Sequence, residues 1–202
     1  MTDKPLMNKA DYFVDDVALS TARQLIAKHH YAHGSANTAT YRHGLFHKDN
    51  PIQCLGAAIW IPPTKGAAIA SYDGDWRKVL SLSRLVIVPG MPQNSASFLI
   101  GRSIKRIKVD GKYECLITYA DEWRNHEGKI YQATNWEYLG KTAAEPTFTD
   151  VEGRLVARKA GPHTRTYDEM RALGYTNIGK YAKHKYRLIL KEHKSIKRGD
   201  GK

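Results

Sequence analysis

Apolar positions along the chain change period several times, and each change predicts an element. Val17, Ala18, Ala22, Leu25 and Ile26 recur at helical spacing behind Asp15 and Asp16, which predicts a helix ending near His29. Residues 31 to 50 are rich in turn-forming types and predict a loop region. Cys54 to Ile61 (CLGAAIWI) is a continuous apolar run stopped by Pro62-Pro63, as a buried strand would be, because proline cannot donate to a ladder. Lys78 to Val88 (KVLSLSRLVIV) combines alternation with β-branching and ends at Pro89-Gly90. These two segments are the expected central strands.

From Ser95 to Lys108 the period returns to that of a helix, with Phe98, Leu99, Ile104 and Ile107 on one side and basic residues largely on the others. Tyr113 to Tyr119 (YECLITY) predicts another strand, running into Ala120-Asp121-Glu122. A short helix is expected within His126 to Trp136, followed by a strand over Glu137 to Gly140. Arg154 to Lys159 reads as extended, Tyr167 to Leu173 as a helix stopped by Gly174, and His184 to Leu190 (HKYRLIL) as a terminal strand. This alternation predicts an α/β fold with a mixed, partly antiparallel central sheet flanked by helices. With no repeat and no long linker, it divides into one domain over residues 1–190 and a basic C-terminal tail over 191–202.

Composition narrows the class. At 202 residues and 42% hydrophobic positions the chain can bury one ordinary core. Its longest strongly apolar run, Leu55 to Pro63, is about half of the roughly 20 residues a membrane helix needs, so no membrane partner is expected. The N-terminus lacks the apolar stretch of a secretory signal, and Cys54 and Cys115 stand far apart, as suits a reducing compartment; a cytoplasmic protein is expected. Oligomeric state is left open. The formal charge of +12 favours a polyanionic partner, nucleic acid first, and the chain from Lys180 to Lys202 carries nine basic residues against Glu192 and Asp200.

Four segments, SLSRLVIVPG, MPQNSASFLIGRSIKRI, ECLITYAD and GKIYQATNWEYLGKT, together resemble the core of the GNAT acyltransferase superfamily. Within it the chain is similar to the phage Mom DNA-modification proteins, through KHHYAH after the first helix, LSRLVI, the ITYAD strand end and GKIYQATNWEYLG. The resemblance implies a GNAT-like catalytic domain with acyl-CoA (acetyl-CoA) between two splayed strands. It also implies transfer of a small acyl-type, methylcarbamoyl-like group to N6 of adenine in double-stranded DNA, shielding phage DNA from restriction. One departure stands out. The usual phosphate loop, Q/R-x-x-G-x-G/A, lets backbone approach a pyrophosphate, but here Gln93 is followed by Asn94-Ser95-Ala96-Ser97-Phe98 with neither glycine.

Asp121, just beyond a strand, is the expected acceptor of the amine proton, with a helix N-cap as its ordinary alternative. Tyr131 is expected to protonate the leaving group, by similarity to the family motif; it and Tyr138 have core packing as the other reading. Ser97, Ser95, Asn94 and Tyr138 are the donor-binding candidates, since no Ser/His/Asp constellation is readable that would make a serine a nucleophile. Five of the nine histidines fall between residues 29 and 47. His30-Tyr31 matches a His-Tyr pair of the Mom family, which has been associated with a metal, so these two are also catalytic candidates. His29, His30 and His33 form a candidate site for iron or another transition metal, against a structural role at the helix end.

Arg102, Lys105, Arg106, Lys108, Lys183 and Lys185 are candidate phosphate contacts, each with a plain solvated face as alternative. An adenine inside a duplex must also be made reachable, and extrusion onto Tyr31, Trp123 or Trp136 would do so. Two rival functions remain in view. An ordinary GNAT N-acetyltransferase acting on a small amine or protein lysine should carry a complete phosphate loop. A non-catalytic basic DNA-binding protein should bind DNA whatever stands at Asp121 and Tyr131.

Overall fold

A computed structural model describes residues 4–31, 34, 37–160 and 162–190. Its strands are β1 (Tyr12–Asp16), β2 (Tyr41–His47), β3 (Gly56–Ile61), β4 (Val79–Ile87), β5 (Cys115–Asp121), β6 (Glu137–Lys141), β7 (Glu145–Thr149), β8 (Leu155–Val156), β9 (Lys159–Ala160), β10 (His163–Thr164), β11 (Thr176–Tyr181) and β12 (Lys183–Ile189). The helices are α1 (Leu19–His29), α2 (Lys65–Ile69), α3 (Ser95–Asp110), α4 (Lys129–Gln132) and α5 (Tyr167–Ala172). Seven strands form the main sheet in the order β1-β2-β3-β4-β5-β12-β6. Among the described strands of this sheet, β4 and β5 form the one parallel pair.

Period-two alternation sorts the strand residues onto two faces. On one face Ala58 and Trp60 of β3 and Leu116 and Ala120 of β5 pack with Phe98, Leu99 and Ile107 of α3. On the other, Ala57 and Ile59 meet Ala22 and Ile26 of α1, while Cys115 and Ile117 meet Ala68 of α2. Strand β4 breaks this rhythm once. Its register against β3 shifts so that Ile59 opposes Arg84 while Trp60 opposes Leu82, leaving Ser83 as an extra, bulged residue. Parity therefore flips. Leu80 and Leu82 before the bulge share the α3 face with Leu85 and Ile87 after it, and Arg84 and Val86 turn to the α1 face.

The bulge also ends the pairing with β5. The parallel ladder runs from Val79↔Cys115 to Leu82↔Thr118, and past it the two strands part. The V-shaped gap so formed is central to the site.

Three segments differ from the sequence reading. Asp15 and Asp16, taken as the start of a helix, end β1 opposite Gly44 and His43, and α1 begins only at Leu19. The expected loop over residues 31 to 50 contains β2, whose polar His43 and turn-like Gly44 are both buried. Gly44 is required there by packing: a Cβ would lie 2.8 Å from the Phe46 ring and 3.0 Å from Cys54 Sγ. The extended stretch expected from Arg154 to Lys159 is divided between β8 and β9. The other central elements lie where their periodicity put them, and the mixed sheet flanked by helices is as expected. The tail at 191–202 lies outside the described residues. Among the described residues no helix is long and apolar enough to cross a membrane.

Between β6 and β12 the chain makes a long excursion, residues 142–182, that builds a second sheet of order β11-β7-β8, the β9-β10 ribbon and α5. The Thr142 amide donates to the Lys183 carbonyl at 2.9 Å and the Lys183 amide to Thr142 Oγ1 at 3.0 Å, clasping its two ends. Helix α5 opens on a capping box in which Thr166 and Glu169 satisfy each other's backbone amides.

Candidate active site

Alternation explains which β5 residues reach the α1 face. Counting from Cys115 and Ile117, Asp121 points to the side where α1 ends, and the turn after α1 delivers Tyr31. The Tyr31 hydroxyl donates to Asp121 Oδ2. Lys183, directly opposite Asp121 on β12, places its ammonium 3.0 Å from Oδ1. Both carboxylate oxygens are thus engaged, and the Asp121 side chain is only 13% exposed. Burial, and then the Asp121 charge and hydrogen bond, push the Tyr31 phenol far above its usual range, so it stays a neutral donor.

Aromatic rings surround the pair. His30 stacks on Tyr31 at 4.3 Å, and Trp123 and His126 present edges to it at 6.1 and 5.6 Å. The Arg124 guanidinium covers Trp123 at 4.2 Å. Arg84, aimed to this side by the bulge, donates to the carbonyls of Gly34 and Ser83, both at 2.7 Å, and so ties the turn after α1 to β4.

Two cavities meet here. The first, about 480 Å³, fills the gap between β4 and β5 and is lined by Leu82 to Ile87, Tyr119, Ala120, the turn before α4, and Tyr131. The second, about 910 Å³, lies between the main sheet and the 142–182 excursion, with Asp121 and Trp123 on one wall and Arg158 and Lys159 on the other. Tyr31 and Arg84 border both. Tyr131 comes from the α3 face, where its ring packs on Trp136 at 5.7 Å and Tyr186 at 5.3 Å. Because the strands have parted, groups from opposite faces of the sheet share one space. Burial holds the Tyr131 phenol above its usual range, against an interaction with the Thr118 side chain and with help from the Asp121 charge.

The other candidates are dispersed. Asn94 caps α3 in the left-handed conformation at φ 67°, and the Ser95 and Ser97 hydroxyls donate to the carbonyls of Pro92 (2.7 Å) and Asn94 (3.0 Å). The Gln93 amide donates to the Pro5 carbonyl at 2.9 Å, so the N-terminal segment lies beside this turn. None of Asn94, Ser95 and Ser97 borders the first cavity, and Tyr138 instead bonds His184 through its hydroxyl at 3.0 Å on β6. Lys105 and Arg106 border a separate depression with Asp16, Tyr41 and His43, and Arg106 pairs with Asp15 and Asp16 at 3.1 and 3.3 Å. Arg102 lies over Phe98. Lys185 donates to the Ala70 carbonyl at 2.7 Å, and burial lowers its pKa.

The histidine group is divided as well. His43 sits buried on the α3 face beside Ser103, and His47 stands on β2 against Tyr12, while His33 lies outside the described residues. Among the described residues no group of three or more metal-ligating side chains is assembled. Trp136 is buried against Trp60 at 6.4 Å, away from solvent, whereas Tyr31 and Trp123 face the second cavity. Arg158 and Lys159 carried no local signal in the sequence; with Arg84, which lies within the LSRLVI motif, they line the same cleft as Asp121 only because the bulge and the excursion bring them there.

The Mom protein family matches residues 11–200. A methylcarbamoylase named mom from Escherichia phage Mu is 27% identical over 141 residues, covering 69% of this chain and 57% of its own length. The chain thus spans little more than half of that relative. Two solved structures share the fold at low identity. The ribosomal-protein-S5-alanine acetyltransferase from Vibrio fischeri has TM-score 0.54 at 8% identity, covering 90% of this chain and 94% of its own. The spermidine N-acetyltransferase from Vibrio cholerae, in complex with CoA and spermine, has TM-score 0.53 at 7% identity, covering 90% and 96%. The fold is therefore that of the GNAT acetyltransferases.

Proposed function

This chain belongs to the Mom protein family, and on that premise we propose that it transfers a small acyl-type, methylcarbamoyl-like group to N6 of adenine in double-stranded DNA. The observation that carries the reading is the position of Asp121 in the wall of the basic cleft, hydrogen-bonded to Tyr31, which borders both that cleft and the gap between the parted strands. A donor held in the gap and an acceptor held in the cleft would meet there.

The reaction asks for two proton transfers. The exocyclic amine of adenine is a weak nucleophile, because its lone pair is delocalised into the ring, so positioning must supply much of the rate. As the N–C bond forms, the Asp121 carboxylate accepts the amine proton, while Tyr31 and Lys183 hold it in place. Tyr131, kept protonated by burial, gives its proton to the departing group.

An acyl-CoA would supply the activated carbonyl and a thiolate leaving group. The gap suits its acyl arm, since β4 beyond Leu82 offers a strand edge unpaired with β5. Asn94 and Ser97 at the start of α3 would face its phosphates, with helix-terminal amides in place of a glycine loop. The enzyme would act in the cytoplasm of the host cell and protect phage DNA from restriction.

The test is to co-express the chain with a plasmid, digest the DNA to nucleosides and weigh deoxyadenosine by mass spectrometry, beside an Asp121→Ala control. A heavier deoxyadenosine absent from the control is expected, and its mass identifies the group. Unmodified deoxyadenosine from folded protein would overturn the reading.

A further inference from the structure

We propose that the 142–182 excursion is a strand clamp, and that the cleft beneath it receives one extruded adenine nucleotide while the clamp holds the neighbouring phosphates. The inference rests on the reading of the protein as a DNA adenine-modifying enzyme. It adds which part of the chain takes the DNA and in what conformation.

Depth is the first argument. In a paired duplex the adenine N6 lies within a groove about 12 Å wide and 8.5 Å deep, so a catalytic group must project to reach it. Asp121 does the opposite: its side chain is 13% exposed, at the back of a cleft. The base has to travel to the carboxylate. A cleft of about 910 Å³ is near the upper end of the roughly 300–1,000 Å³ that ligand pockets span, which suits a purine with its sugar and adjoining phosphates.

Chemistry is the second. Trp123 and Tyr31 supply aromatic surface on the Asp121 wall, as an unstacked base needs. The opposite wall carries Arg158 and Lys159. Arg158 is held by the Arg165 carbonyl at 3.0 Å and lies over the Tyr167 ring, which fixes its charge in position, and Lys159 is exposed. These cations and the aromatic residues line one and the same cleft.

Topology is the third. The main-sheet strands on either side of the excursion are adjacent and antiparallel, and the clasp between Thr142 and Lys183 closes its base as a hairpin turn would. The excursion is not needed to complete the main sheet. Its position over Asp121 gives it a role at the site.

The experiment measures binding of the full chain to two duplexes by fluorescence anisotropy across a salt series. One is fully paired; the other has a single adenine opposite an abasic position. Tighter binding of the unpaired adenine, by about tenfold, is expected, because the cost of extrusion is largely removed. Lys159→Glu should weaken both by tenfold or more, with Lys159→Ala lowering the log–log salt slope by about 1. Lys159→Arg should restore binding, and Lys48→Glu, in the turn after β2, should change nothing. Equal affinity for the two duplexes, or wild-type binding by Lys159→Glu, would overturn the clamp. Plasmid modification separates the two claims: full modification by Lys159→Glu overturns the clamp and leaves the function, whereas expected binding without any modified adenine overturns the function and leaves the clamp.

Discussion

Tyr31 and Asp121 stand ninety positions apart in sequence and share a hydrogen bond in the fold, phenol to carboxylate Oδ2. The bond closes the end of α1 onto the end of β5, and Lys183 completes the carboxylate's environment from β12. Three segments distant in the chain thereby orient one group.

Removing the phenol isolates that orientation. Tyr31→Phe keeps the ring contacts with His30, Trp123 and His126 and loses only the donor. Adenine modification is expected to slow about tenfold, with stability changed by about 1 kcal/mol. Asp121→Asn should abolish modification altogether. Nucleoside mass spectrometry and thermal melting of the two variants check both statements.

Tyr131 separates catalysis from packing. Tyr131→Phe preserves the ring contacts with Trp136 and Tyr186 and should melt near the wild-type temperature. If the hydroxyl delivers the leaving-group proton, turnover falls about a hundredfold or more while KM for DNA is unchanged. Unchanged turnover would make the residue a packing aromatic.

Gly128 ties the fold to the site. It precedes α4 at φ 69°, and a Cβ there would lie 2.7 Å from Cζ of the fully buried Tyr186, whose hydroxyl donates to the Glu127 carbonyl. Gly128→Ala combines left-handed strain with overpacking, for a cost of about 2–4 kcal/mol. It should lower the melting temperature and, by displacing α4 and Tyr131, reduce turnover more than tenfold.

A buried polar chain on the α3 face gives a pH dependence. The Trp60 indole N–H donates to Ser103 Oγ at 2.7 Å, and Ser103 lies 2.5 Å from His43 Nδ1. Burial first, and then the Arg106 charge, lower the His43 pKa to about 4, with Asp16 and Asp15 pulling the other way. An unfolded histidine titrates near 6.5, so between pH 4 and 6.5 the unfolded chain binds the extra proton. Stability should fall as pH drops through that window, by about 3 kcal/mol at most, and His43→Gln should flatten the slope in urea unfolding. Ser103→Ala, which strips the partner from both Trp60 and His43, should cost about 2–4 kcal/mol at neutral pH.

Periodicity was enough to find α3, the central strands β3, β4 and β5, and the end of β12, because each buries one face and its apolar spacing records that burial. It also placed Asp121 at a strand end, while the choice of that residue came from the family resemblance. It misread residues 41–47, where a buried histidine and a glycine squeezed against Phe46 and Cys54 imitate a turn. It misread Asp15 and Asp16, whose charges end a strand and pair with Arg106. The bulge at Ser83, the gap it opens, and the encounter of Tyr31, Arg84, Asp121 and Lys183 leave no local trace. Periodic burial is a property of neighbours along the chain, whereas a site assembled from three strand ends and a turn exists only once the sheet has aligned them.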